Sequence, residues 1–253
     1  MSSLINFPPL VFVTSLVVLW LSADLGNLIG RKLRPLKDDA REDFSVVQAA
    51  TLTLLALLIG FAFSMAVSRY DQRKNYEEEE ANAIGTEYVR ADLLPATEAA
   101  KVRGLLRNYL DQRVLFYSVR DESELGGINA STAQLQTELW STVQAPALAS
   151  PSPVVALAVS GMNDVLNSQG YTQFAWWNRI PIAAWGLMGA IAICSNMLVG
   201  YGARRKETFL FLVLPLAVSI SFFLIADIDS PRQGLIRVRP QNLISLSQSL
   251  QTH

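Results

Sequence analysis

Residues Val46–Val67 read VVQAATLTLLALLIGFAFSMAV, 22 positions without an ionisable side chain. About 20 apolar residues suffice to carry a helix across the hydrocarbon core of a bilayer. The next stretch, SRYDQRKNYEEEEANAIGTEYVRADLLP (Ser68 to Pro95), turns abruptly charged yet holds no proline before Pro95. The pair therefore predicts one long helix that leaves the membrane and continues in water, and the remaining segments are placed by reference to it.

Three further apolar runs complete a set of four spans. Leu10 to Ile29 follows Pro8-Pro9, which suits a helix start, and the residues before it lack the basic region of a signal peptide, so it reads as an uncleaved first span. Ile180 to Val199 is the third span, announced by the aromatic cluster Tyr171, Phe174, Trp176 and Trp177, since such rings settle at headgroup level. The fourth runs from about Phe209 to Ala226 and breaks at Asp227 and Asp229. A hydrophobic content of 51% and a mean hydropathy of +0.26 agree with the membrane class.

Between the second and third spans the chain predicts an all-helical, water-exposed domain. The acidic run Glu77 to Glu80 reads as a solvated face, followed by Ala81, Ile84, Tyr88 and Ala91 at helical spacing. A second amphipathic helix, about Thr97 to Arg120, puts Leu106, Tyr109 and Leu110 on one side and Arg103, Arg107 and Arg113 mostly on the other, and ends at Gly126-Gly127. Ser131 and Gln134 form a capping box for a third helix. Pro146 to Pro153 is a break, and Val154 to Gly170 a fourth helix closed by its glycine. The expected fold is thus an all-α membrane protein divided at residues 1–70, 71–178, 179–229 and a tail at 230–253.

Composition excludes several functions. The 21 basic and 22 acidic residues leave no basic field for nucleic acid. One cysteine, Cys194, lies in an apolar run, and the one histidine is the last residue, so thiol, histidine and His/Cys metal chemistry lack their ingredients. An enzyme is the least supported class, and neither a cofactor nor a metal is expected.

The candidate sites lie in and beside the spans. Ala56, Gly60, Ser64 and Ser68 recur every four residues, a small face that either packs a neighbouring span or lines a narrow pore. Gln48 and Thr53 add polarity near the start of that helix, and Phe61 and Phe63 beside the stripe would form a constriction that gates by dewetting. Glu79, Asn82, Glu87, Arg90 and Asp92 would extend such a path into water, or simply keep the helix soluble. Asp24, Asn27 and Asn196 fall within one to two turns of one membrane face. They read either as a polar layer for ions or, for Asp24, as a carboxylate that reaches water or Arg31 and anchors its helix. At the opposite face Arg69, Arg179, Asp227 and Asp229 form either a salt-bridged belt or a ring of carboxylates at a pore mouth. The links Gly30 to Asp43 and Gly200 to Glu207 hold about eight Lys and Arg, Arg34, Lys37, Arg204, Arg205 and Lys206 among them. By the positive-inside rule they are cytoplasmic, and the N-terminus and helical domain extracytoplasmic.

Three patches add a resemblance: GFAFSMAVSRY followed by EEANAIGTEYVRADLLP and RGLLRNYLDQR, the WNRIP opening of the third span, and ADIDSPRQGLIRV after the fourth. Together, from about Thr51 to Val238, they resemble the bestrophin-like domain family of uncharacterised bacterial membrane proteins. The family often carries an aromatic where this chain has Arg232. The resemblance implies a four-span helical homo-oligomer in a bacterial inner (cytoplasmic) membrane, with the lipid bilayer and inorganic ions as partners and ion permeation as its function. It does not bring calcium gating with it, because no run here matches the calcium clasp of true bestrophins. The rival reading is a non-conducting scaffold or sensor that binds a protein partner through the extramembrane helices.

Overall fold

The computed structural model describes residues 7–33, 36, 38–203 and 208–251. These form eight α-helices, and no strand occurs among the described residues. Helix α1 (Pro8–Leu28) starts on a proline, whose missing N–H would be unpaired there in any case, and runs into a π turn at Ile29–Leu33. Helix α2 (Arg41–Arg90) is a single helix of 50 residues, with Glu42 and Asp43 in the first turn where the helix dipole favours acids. It closes through a 3-10 turn at Ala91–Leu93 ahead of Pro95. Helices α3 (Ala96–Ser118), α4 (Glu122–Ala149) and α5 (Pro153–Trp177) follow, then α6 (Ile182–Gly202), α7 (Thr208–Asp229) and a short α8 (Gln241–Gln251).

Two expected breaks, at Gly126-Gly127 and at Gly170, are absent, and the one expected over Pro146 to Pro153 is present at residues 150–152. Helix α4 begins well before Ser131, because the Asp121 carboxylate accepts the Ser123 N–H at 2.9 Å and caps it there. That bond holds the exposed Asp121 carboxyl below its usual range. Gly126 and Gly127 lie inside α4 with open space around them, and Pro146 sits in its last turns, so the chain breaks only after Ala149. A mid-helix glycine costs only about 1 kcal/mol against alanine, which the burial of Ile128, Leu139 and Val143 outweighs. Helix α5 likewise continues through Gly170, carried by the buried Thr172, Ala175 and Trp176.

Contacts divide the chain into two compact units. The spanning unit comprises residues up to Tyr70 and Arg179–Arg237. Four helices of the chain are long and apolar enough to cross a membrane, and it is an integral membrane protein. In this unit Leu19 of α1, Leu55, Ala62 and Ala66 of α2, Met188 and Ala192 of α6, and Val218, Phe222 and Ile225 of α7 form one core. Trp185 meets Phe222 edge-on at 6.0 Å. Outward faces are greasy: Val13, Val17, Leu21 and Leu25 line the exposed side of α1, and Val213, Leu216 and Ile220 that of α7. Lipid is the natural solvent for such faces.

Helices α1 and α6 meet backbone to backbone. A methyl group on Gly26 would overlap the Met197 carbonyl, one on Gly200 the Ala23 carbonyl, and one on Gly30 would crowd that of Tyr201. Spans gain no hydrophobic drive from one another inside lipid, so small residues that admit close van der Waals contact hold them together.

The helical unit comprises Asp71–Asn178 and the tail from Val238, and thus the second part of α2 with α3, α4, α5 and α8. Ile84, Val102, Leu106, Leu110, Leu139, Val143, Met162 and Val165 are among its buried apolar residues. Trp176 packs on Phe116 with ring centres 4.9 Å apart.

Candidate functional site

Within its membrane span α2 has two contrasting faces. Leu55, Ala62 and Ala66 are buried in the core. At 100° per residue, Thr53, Gly60 and Ser64 lie about 140 to 180° round the helix from Leu55, and all three are exposed. Gly60 has nothing within 4 Å of where a Cβ would stand, so among the described residues none covers that face at Gly60. The Thr53 hydroxyl donates to the Ala49 carbonyl at 2.9 Å, as Thr51 does to Val47 at 2.7 Å. Ala56 and Phe63 are exposed to one side of the stripe and Phe61 to the other, while Gln48 is half-buried and turned toward the Leu55 side.

The polar residues near one end of the spans gather at the glycine seam. Asn27 is buried there, its Nδ2 donating to the Gly200 carbonyl at 3.5 Å. Asn196, one turn before Gly200, is also buried and donates to the Ala192 carbonyl at 2.8 Å, and its Oδ1 has no hydrogen-bond partner among the described residues. Asp24 is half-buried on α1. Arg34, Lys37, Arg204, Arg205 and Lys206 lie outside the described residues.

At the other end of the spans, Arg69, Arg179 and Asp229 come together. The Asp229 carboxylate is 3.6 Å from Arg69 Nη1 and 3.5 Å from Arg179 Nε. It also accepts the Ile180 N–H at 3.2 Å and so fixes the start of the third span to the end of the fourth. Asp227 has separate work: it accepts the N–H groups of Leu235 and Ile236 at 2.7 and 2.9 Å, closing the turn after α7. Gly234 is required in that turn, because a Cβ would overlap the Asp227 carbonyl. Both carboxylates are almost fully buried.

The helical unit holds a charged core that sequence reasoning did not find. Glu77, Glu80 and Glu87, expected on a wetted face, are buried, and so is Arg113, expected on the polar side of its helix. Arg113 pairs with Glu80, which also accepts from the Tyr117 and Thr172 hydroxyls, both at 3.2 Å. Burial, the largest influence, pulls the Arg113 guanidinium down, but Glu80, Tyr109 and Tyr117 together outweigh it and the net shift is upward. Burial first and Glu80 second raise the Tyr109 and Tyr117 phenols above their usual range. Glu77 accepts the Asn242 and Leu243 N–H groups at 2.9 and 3.0 Å and Asn242 Nδ2 at 2.6 Å, capping α8 from outside it. Arg73 donates to the Ala175 and Asn178 carbonyls at 3.2 and 3.4 Å, satisfying the C-terminal end of α5. The signal was spacing: Arg73, Glu77, Glu80, Ile84 and Glu87 recur every three to four residues, one helix face shared by charges and an apolar side chain.

Among the described residues no group of three His, Cys, Asp or Glu is arranged to hold a metal ion. Residues 17–243 match the Bestrophin-like domain family. Similar solved structures include a bacterial bestrophin homologue from Klebsiella pneumoniae, at 14% identity over 96% of each chain with a TM-score of 0.65. A point mutant of that homologue matches at 13% identity over 95% of this chain and 98% of the other, TM-score 0.65. A variant of a protein described only as a membrane protein matches at 13% identity over 95% and 97%, TM-score 0.67. At such identities the likeness is one of fold. No curated protein is similar in sequence.

Proposed function

Because the chain belongs to the bestrophin-like family, we propose that it is an oligomeric ion channel whose second span lines the pore, one copy of α2 from each subunit. The observation that carries this reading is the uncovered face of α2 at Thr53, Gly60 and Ser64. Leu57 is exposed on the same face, which is still less continuously apolar than that of α1, where Val13, Val17, Leu21 and Leu25 point outward. A helix that shares a narrow lumen with its copies needs small side chains to leave room and hydroxyls to meet ions. Phe61 and Phe63, both exposed beside the stripe, supply rings for an apolar constriction. The conducted species are inorganic ions, the setting is a bacterial inner membrane, and the N-terminus and helical unit are extracytoplasmic.

Purified protein in a planar bilayer tests this. Current above that of the empty membrane is expected, and Gly60→Leu should reduce it about tenfold or more while the oligomer keeps its mass, because a bulky side chain then fills the lumen. Absence of current under varied salt, pH and calcium would overturn the proposal. So would a Gly60→Leu protein that conducts like the wild type. Loss of the oligomer in that variant, with no current in the parent, marks a face that only packs copies together, as in a scaffold.

A further inference from the structure

We propose that Glu87 is a proton-operated spacer between α2 and α5 in the helical unit, lying flush on the bare backbone of Gly161 when neutral and pushing that seam open when ionised. The inference does not depend on ion conduction. It starts from a mismatch: the Glu87 side chain is fully buried, and neither carboxyl oxygen has a hydrogen-bond partner among the described residues. An ionised carboxylate cannot be left so without a large desolvation cost, whereas a neutral carboxyl is far cheaper to bury. The neighbouring site fits the neutral form. Gly161 leaves room where any Cβ would overlap Glu87 Oε2, and would also come within 2.7 Å of Arg90 Nη1 and 3.1 Å of Arg90 Cδ.

Two charged groups act on this carboxyl, and they oppose each other. Arg90, one turn further along α2 and half-buried, favours the ionised form, and Asp164, exposed on α5 one turn beyond Gly161, disfavours it. Burial, the largest influence, acts in the same direction as Asp164 and outweighs Arg90, and the Glu87 carboxyl is pushed up to about 8. The sign follows. A carboxyl whose folded pKa lies above its unfolded one leaves the fold undisturbed below the unfolded value. Stability is then lost as pH rises through the window between 4.5 and about 8, and the penalty is complete above it. Glu87 is thus neutral and seated in neutral solution, and alkaline solution forces it to seek Arg90 or water, at the expense of the packing on Gly161.

Infrared spectroscopy and hydrogen exchange on the full-length protein in detergent, across a pH series, test this. The wild type should show a protonated-carboxyl C=O band at neutral pH that disappears near pH 8, and Glu87→Gln should lack it. Removing the negative charge with Asp164→Asn should move the band's disappearance to lower pH. Corrected for intrinsic rates, exchange of residues 155–165 should rise about tenfold through the titration in the wild type and less than about twofold in Glu87→Gln. The proposal is overturned if no band survives above the ordinary carboxylate range, if Glu87→Gln retains it, or if wild-type exchange stays flat through the titration.

Discussion

Replacing Arg113 with methionine should be among the most damaging single changes in the helical unit. The guanidinium is fully buried, is paired with the equally buried Glu80, and lies 4.4 Å from the centre of the Phe116 ring. Arg113→Met leaves Glu80 buried with, among the described residues, only the Tyr117 and Thr172 hydroxyls as donors. An ion orphaned in this way costs about 3 to 5 kcal/mol. Glu80→Met is expected to cost a similar amount, since it strands the arginine instead. The double variant strands neither charge, and Tyr117 Oη and Thr172 Oγ1, 3.3 Å apart, still bond to one another. Its loss should therefore be smaller than that of either single variant, with a coupling of several kcal/mol. At about 2 to 4 °C per kcal/mol for a chain of this size, each single variant should melt about 6 to 20 °C below the wild type by tryptophan fluorescence in detergent. If both singles fall within about 1 kcal/mol of the parent, or if the double loses the sum of the two, the ion pair is not what holds this core.

Glu77→Ala should leave the α8 N-terminus without its acceptor. A cost of about 1 to 3 kcal/mol is expected, read as faster protease cleavage ahead of Gln241–Gln251 with the remaining fold intact. Gly200→Val should part α1 from α6 at a cost of about 1 to 3 kcal/mol or more, seen as a lower melting temperature. Gly186→Val, on an open face of α6, should stay within about 0.5 kcal/mol of the parent.

Four spans and the unbroken α2 were legible because lipid imposes a length and because proline is absent until Pro95; the bestrophin-like resemblance was legible in short motifs. Glycine misled where packing overrode it: Gly126-Gly127 and Gly170 lie within helices, whereas the break expected over Pro146 to Pro153 is there, four residues after Pro146. Charge misled in another way. Four consecutive glutamates read as wetted, yet a helix turns about 100° per residue, and Glu77 and Glu80 face inward while Glu78 and Glu79 face out. Their partners, Arg113 and the N-terminus of α8, lie 33 and 165 residues further on, beyond the reach of any local pattern. The uncovered stripe at Gly60 was visible as spacing, but whether another span of the same chain covered it was not.

The glycine seam bears on how this chain is made. Asn27 finds its acceptor on Gly200, 173 positions later, so when the first helix emerges from the ribosome the other side of this seam does not yet exist. It must wait in the bilayer, its Ala23, Gly26 and Gly30 ridge naked to acyl chains, until the entire extramembrane portion has been synthesised and the third helix inserted. Translation arrested after Trp177 should therefore yield a first helix that is inserted yet unassembled, open to degradation by membrane proteases that the finished protein resists.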